Sequence, residues 1–126
     1  VSPDAARVEL TIPARADYIV VARLATAAVA ARLCFQVETI EDLKLAVAEA
    51  CTACVAAEPS ANRTIAIVWE VRDGMLDVAV GDQGSEHDGL GVTIIRHLMD
   101  RVSFETHSGV TTLRMAKRLG DAAKPR

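Results

Sequence analysis

Apolar and polar residues alternate over residues 7–12, with Val8, Leu10 and Ile12 on one side and Arg7, Glu9 and Thr11 on the other. This period of two predicts a half-buried strand, and Pro13, lacking an amide proton, ends it at a sheet edge. Residues 18–33 are rich in alanine and leucine and contain no glycine or proline, which predicts a helix of about four turns with Ala16-Asp17 at its N-cap. Both of its sides are apolar, so burial is expected against a sheet and against the next helix or a partner. Thr39, with Asp42 three residues later, resembles a capping box with Asp in place of Glu, and starts a second helix running to about residue 57. Pro59, Ser60 and Asn62 stop it. Along this helix Ile40, Leu43, Val47, Cys51 and Cys54 form an apolar stripe, while Asp42, Glu49 and Ala53 are expected on the opposite side.

Residues 64–72 alternate again, Asp73-Gly74 is a two-residue hairpin signal, and a strand returns through Leu76, Val78 and Val80. After Asp82-Gln83-Gly84 and the polar link from Ser85 to Asp88, residues 91–101 predict a helix carrying Ile94, Ile95, Leu98 and Met99. Val102, Phe104 and Thr106 predict a further strand. His107-Ser108-Gly109 then turns the chain into a last strand over residues 110–119, with Thr111, Leu113 and Met115 on one face. The tail, 120–126, reads as frayed. Helices and hairpins segregate along the chain, which indicates an α+β fold: a two-layer sandwich with a mixed, mainly antiparallel sheet.

Composition narrows the function classes. The 126 residues suit one domain, 1–126, with a core drawn from aliphatic residues, since 51% are hydrophobic and only four are aromatic. A net charge of −3 leaves no basic field for nucleic acid, so direct DNA or RNA binding is disfavoured. No apolar run is long enough to span a membrane and the start lacks signal-peptide character, which together suggest a cytoplasmic protein. Cys34, Cys51 and Cys54 are expected as reduced thiols. The Cys51-Thr52-Ala53-Cys54 pair lies late in a helix on its apolar stripe, which suits core packing better than redox or zinc chemistry. His87, His97 and His107 are ten apart, neither a helical nor a metal-ligand spacing, and read as surface or turn residues.

Three stations could carry chemistry. Glu49 is a carboxylate that could act as a general base toward a serine hydroxyl or a water beside bound phosphate. Asp82, at a strand end, could accept a hydrogen bond from adenine's exocyclic amine, while Gly84 lets backbone approach the base. Gly89-Leu90-Gly91 would offer free amides and a positive helix end to phosphates. Taken singly, each has an ordinary reading as a solvated helix glutamate, a turn or a tight loop. A Walker-type phosphate loop is absent from the sequence.

The run from Ile40 to Thr52, with Asp82-Gln83-Gly84, Gly89-Leu90-Gly91 and His107-Ser108-Gly109-Val110-Thr111, resembles the bacterial anti-sigma-factor serine-protein kinases of the RsbW type. These belong to the GHKL, or histidine-kinase-like, ATPase superfamily, and the resemblance spans nearly the whole chain in order. It implies the Bergerat fold, ATP and magnesium as cofactors, and a homodimer formed through the first strand. The implied role is in stress-response transcription regulation: holding a sigma factor inactive and phosphorylating a serine on a STAS-domain anti-anti-sigma factor. By this resemblance Glu49 is catalytic, Asp82, Gly84, Gly89 and Gly91 bind the nucleotide, and Thr111 is the strand threonine near adenine.

Two departures qualify that expectation. Ala53 stands where the family has a magnesium-binding asparagine, and a methyl group cannot coordinate a cation that demands oxygen ligands. Only Ser85, Glu86, His87 and Asp88 occupy the place of a long lid, and two of these four are acidic. The expected function is therefore a regulator that binds a sigma factor and a STAS protein, with ATP and magnesium binding weak or absent. The alternatives are an active serine kinase, and an interaction module that works without nucleotide.

Overall fold

Helix and strand signals resolve into two layers, three helices packed on one face of a five-stranded sheet, in a computed structural model that describes residues 7–57, 62–81 and 90–119. In chain order the elements are β1 (Arg7–Pro13), a 3-10 turn (Ala16–Tyr18), α1 (Ile19–Arg32), α2 (Val37–Ala57), β2 (Thr64–Arg72), β3 (Met75–Val80), α3 (Leu90–Leu98), β4 (Arg101–His107) and β5 (Val110–Arg118). The sheet order is β1-β2-β3-β5-β4, and each of these pairings is antiparallel. β1 lies at an edge, as Pro13 suggested.

The period-two pattern sets the register. Ile65, Ile67, Trp69 and Val71 on β2 point into the helical layer with Leu76, Val78 and Val80 on β3 and Leu113 and Met115 on β5. Each of the two hairpin turns places its two central residues at positive φ: Asp73 at 54° with Gly74 at 73°, and Ser108 at 53° with Gly109 at 80°. That backbone twist matches the strands it joins, and glycine adopts it without a steric cost.

Trp69 and Phe35 are the aromatic members of a buried core that is otherwise aliphatic, with Cys51, Cys54, Met99 and Met115 among the described residues. Trp69 is fully enclosed, and its indole Nε1 donates to Thr26 Oγ1 at 3.2 Å; Thr26 in turn donates to Ala22 O at 2.7 Å. One buried polar chain thus ties α1 to the middle of the sheet, and each of its donors has an acceptor.

The opposite sheet face is exposed and charged. Arg7 pairs with Glu70, Arg72 with Asp77 at 2.6 Å, and Arg114 with both Asp77 and Glu105. This face carries two shallow clefts of about 200 and 80 Å³, both walled in part by Asp77 and Arg114. Such pairs add little to stability in solvent, but they keep this face polar.

Three helix boundaries differ from expectation. Asp17 does not cap α1: its carboxylate is taken by Arg15 at 2.9 Å, and the chain enters the helix through the 3-10 turn. α2 starts at Val37 rather than at a Thr39 cap, so Thr39 lies inside its first turn, and the amide of Ile40 bonds Gln36 O at 2.9 Å. α3 ends at Leu98, not near 101, because β5 claims the chain beyond it. Asp100 N donates to Ala116 O at 2.9 Å, Asp100 Oδ2 accepts from Arg118 N at 2.7 Å, and Lys117 Nζ caps Leu98 O at 2.8 Å. A lysine at the carbonyl end of a helix also complements its dipole. Pro59, Ser60, the link from Ser85 to Asp88 and the tail 120–126 lie outside the described residues.

Candidate functional site

α2 is the element from which a site can be built. Its buried side holds Leu43, Ala46, Val47, Ala50, Cys51 and Cys54, the expected stripe thickened by two alanines, while Ile40 is half-buried. Asp42, Glu49 and Ala53 do share a face, but it is not the opposite one. At 100° per residue they fall on the flank of the stripe and are half-buried, whereas the side facing away from the core carries Glu41, Leu45 and Thr52. A flank position matters chemically, because a carboxylate there borders both the neighbouring element and solvent.

That neighbour is α3. A Cβ placed on Gly91 would lie 3.2 Å from Glu49 Oε1, so the carboxylate closely approaches the first turn of α3. Glycine at 91 leaves room for it; alanine would push the oxygen aside by a few tenths of an ångström. The amides at a helix start carry partial positive charge, a favourable setting for an anionic group. Among the described residues no hydrogen bond or ion pair engages the Glu49 carboxylate.

Ala53 follows Glu49 by about one turn on the same flank, half-buried, and presents a methyl group. The residues present therefore do not fit a magnesium ion at this point of the helix, since the cation needs an oxygen donor there. Among the described residues no group of three or more His, Cys, Asp or Glu side chains could hold a metal.

Thr111 sits on β5 at 6% exposure, and its Oγ1 is 3.2 Å from that of Thr106, its register partner on β4. No hydrogen bond among the described residues joins Thr111 to Glu49. The structure thus brings Glu49 and Gly91 together and leaves Thr111 on a separate strand. Asp82, Gly84 and Gly89 lie outside the described residues, as does His87. His97 is exposed on α3, with Nδ1 3.0 Å from Thr93 O, and His107 is exposed at the end of β4.

Cys51 and Cys54 are buried free thiols, and Cys34 is free and exposed. Burial pushes the Cys51 thiol up to about 12, opposite to the shift a redox cysteine needs. Sequence reasoning missed one contact here: Cys54 Sγ donates to Gly81 O at 3.0 Å, linking α2 to the residue just after β3. A cysteine on an apolar stripe usually acts as a small hydrophobe, and no spacing rule signals such a bond.

The histidine kinase-like ATPase domain family matches residues 12–117. The chain is similar to the serine-protein kinase RsbW of Bacillus subtilis (strain 168), 33% identical over 129 residues, covering 82% of this chain and 81% of that protein. It is also similar to the serine-protein kinase RsbW of Halalkalibacterium halodurans, 32% identical over 126 residues, with 82% and 78% covered. Among solved structures, the RsbU and RsbW domains of a Mycobacterium tuberculosis protein superpose with a TM-score of 0.76 at 18% identity, over 90% of this chain and 32% of that one. That likeness establishes the fold, and the family match with the sequence relatives establishes the lineage. The chain belongs to the histidine kinase-like ATPase family.

Proposed function

We propose that this chain is an anti-sigma regulator of the serine-kinase type, acting chiefly by protein binding, with ATP binding and phosphoryl transfer weakened. The observation that carries the reading is the flank of α2, where Glu49 approaches the start of α3 and Ala53, one turn on, has no oxygen for a cation. Glu49 is the proposed base, Gly91 belongs to the phosphate-facing turn with Gly89, and Asp82, Gly84 and Thr111 recognise adenine. In this role Glu49 would take the proton from a serine hydroxyl as its oxygen attacks the terminal phosphate. ATP would supply the phosphoryl group. The proposed partners are a sigma factor and a STAS-domain anti-anti-sigma protein.

Protein binding has support of its own in α1. Its outer side presents Val20, Val21 and Leu24, at 53%, 38% and 64% exposure, more apolar surface than a solvated helix face normally carries. The β1 edge beside it offers unpaired backbone groups for a homodimer. An exposed free thiol at Cys34 fits a reducing, cytoplasmic compartment. Among the described residues no helix is long and apolar enough to cross a membrane.

A second reading, an active kinase, draws on the same Glu49, whose carboxylate no described side chain engages. Incubation with a STAS-domain protein and labelled ATP separates the two. The proposal expects little phosphoserine from the natural chain and a clear gain from Ala53→Asn. Rapid phosphorylation by the natural chain would instead establish the active kinase. A pull-down that recovers neither a sigma factor nor a STAS protein would favour an interaction module independent of nucleotide.

A further inference from the structure

The two ends of α3 (Leu90–Leu98) meet different parts of the molecule. At its start Gly91 lies against the Glu49 carboxylate, since a Cβ on residue 91 would be 3.2 Å from Glu49 Oε1. At its other end the helix is clamped to β5. Lys117 Nζ donates to the carbonyl of Leu98, the last helical residue, at 2.8 Å and lies 3.9 Å from Asp100 Oδ1. Asp100 is itself held on both sides: its amide donates to Ala116 O at 2.9 Å, and its Oδ2 accepts from the amide of Arg118 at 2.7 Å. Lys117 sits between those two β5 residues, and its side chain is the part of the clamp that reaches back to the helix.

The core holds α3 in a different way. Ile95 and Met99 are buried beneath it, and Leu98 packs partly against the same cluster. Apolar burial is non-directional, so it decides which side of the helix turns inward and resists a small slide or tilt only weakly. A hydrogen bond tolerates a narrow range of lengths and angles, and fixes the helix along its axis. Gly91 lies two turns before Leu98, about 10 Å along the helix. A helix this short moves as one piece, so a shift at the clamped end arrives at residue 91. Glycine there brings no side chain that could set its own distance from the carboxylate.

We propose that Lys117 is a positioning residue of the Glu49 flank, its ammonium group fixing the C-terminal end of α3 so that the first turn of the helix meets the carboxylate at a set distance. This rests on Glu49 being the base, as proposed above. Lys117 acts through the helix rather than by contact with Glu49, and its loss should show in kcat more than in KM.

The test compares Lys117→Met, which keeps the length of the side chain and removes its donors, with Lys117→Arg, which keeps a donor. In heteronuclear NMR spectra of the ligand-free protein, Lys117→Met should move the Gly91 amide and the Glu49 carboxylate resonances and leave β1 and β2 unmoved. Lys117→Arg should keep both near their natural positions. Changes confined to residues 96–101 and 116–118, with residues 49 and 91 unmoved, would make Lys117 a helix cap only and overturn the proposal. Asp100→Asn gives a milder comparison, because it leaves an acceptor for the Arg118 amide and removes only the charge facing Lys117. It should move the same two resonances in the same direction by less; shifts at residues 96–101 with none at 91 would again overturn the proposal. Phosphorylation of a STAS-domain protein, followed in the Ala53→Asn background, gives the second readout. Lys117→Met should lower kcat about fivefold and change KM for ATP by less than about twofold, with most of the loss recovered in Lys117→Arg. An unchanged kcat would overturn the proposal. If that background transfers no phosphate, the role proposed for Glu49 fails on its own, and the resonances of residues 49 and 91 still decide whether Lys117 sets their contact.

Discussion

α1 and α2 are both alanine-rich, both lack proline and glycine, and pack against each other, yet they spend their apolar surface in opposite ways. α2 encloses Leu43, Val47, Cys51 and Cys54, and carries its half-buried carboxylate on the flank. α1 fully buries only Ala22, Thr26 and Ala30, a strip one small residue wide, and leaves Val20, Val21 and Leu24 facing outward. Small residues every fourth position let α1 lie close to its neighbours. The core takes Ile19 and Val29 from this helix, whereas Val20, Val21 and Leu24 add little to it and remain available to a partner. The inner helix organises the core and the proposed chemistry, and the outer helix offers a surface.

Substitutions can break this contrast in graded steps. Leu43→Ala on α2 removes a side chain with no exposure and should cost about 2–5 kcal/mol in denaturant unfolding. Thr26→Ala is the one α1 change expected to approach that, at about 1–3 kcal/mol, because it leaves the enclosed Trp69 indole N–H without its acceptor. Near-ultraviolet spectra should register the altered tryptophan environment.

Cys51 supplies a pH-dependent step. Its thiol ionises near 9 when unfolded and is pushed up to about 12 by burial, so between those values the folded chain holds a proton the unfolded chain has released. Stability should thus be full below about pH 9 and fall as pH rises toward 12, at up to about 1.4 kcal/mol per pH unit. Cys51→Ala should flatten that decline in unfolding experiments across pH 8–11. Smallest in stability is Leu24→Asp, on the outer face of α1, which should stay within about 0.5 kcal/mol of the natural chain. The same variant should weaken capture of a sigma factor by about tenfold, the effect of losing one central apolar contact. If it unfolded the protein instead, the contrast between the helices would not hold.

Much of the architecture was legible because one physical signal dominates each element. Period-two alternation marked all five strands, and Asp73-Gly74 and Ser108-Gly109 marked both hairpins through the backbone angles they adopt easily. Helix ends were less legible, since each depends on a partner distant in sequence or on local competition. Lys117 and Ala116 on β5 end α3, and Arg15 removes Asp17 from the cap of α1. The face on which Glu49 lies differs from the one the stripe predicts, because Ala46 and Ala50 are also buried, which turns the carboxylate from the far side to the flank. The outward side of α1 was only half read, because a helix apolar all round carries no periodicity to say which side is covered.

On the flank of α2 the proposed base, Glu49, stands one turn from Ala53, which has no oxygen to offer a cation. Calorimetric titration of the natural chain and of Ala53→Asn with ATP, with and without magnesium, tests the consequence most directly. The account predicts weak binding by the natural chain that magnesium does not improve, and tighter, magnesium-dependent binding by the asparagine variant. Low-micromolar, magnesium-dependent binding of ATP by the natural chain would contradict it.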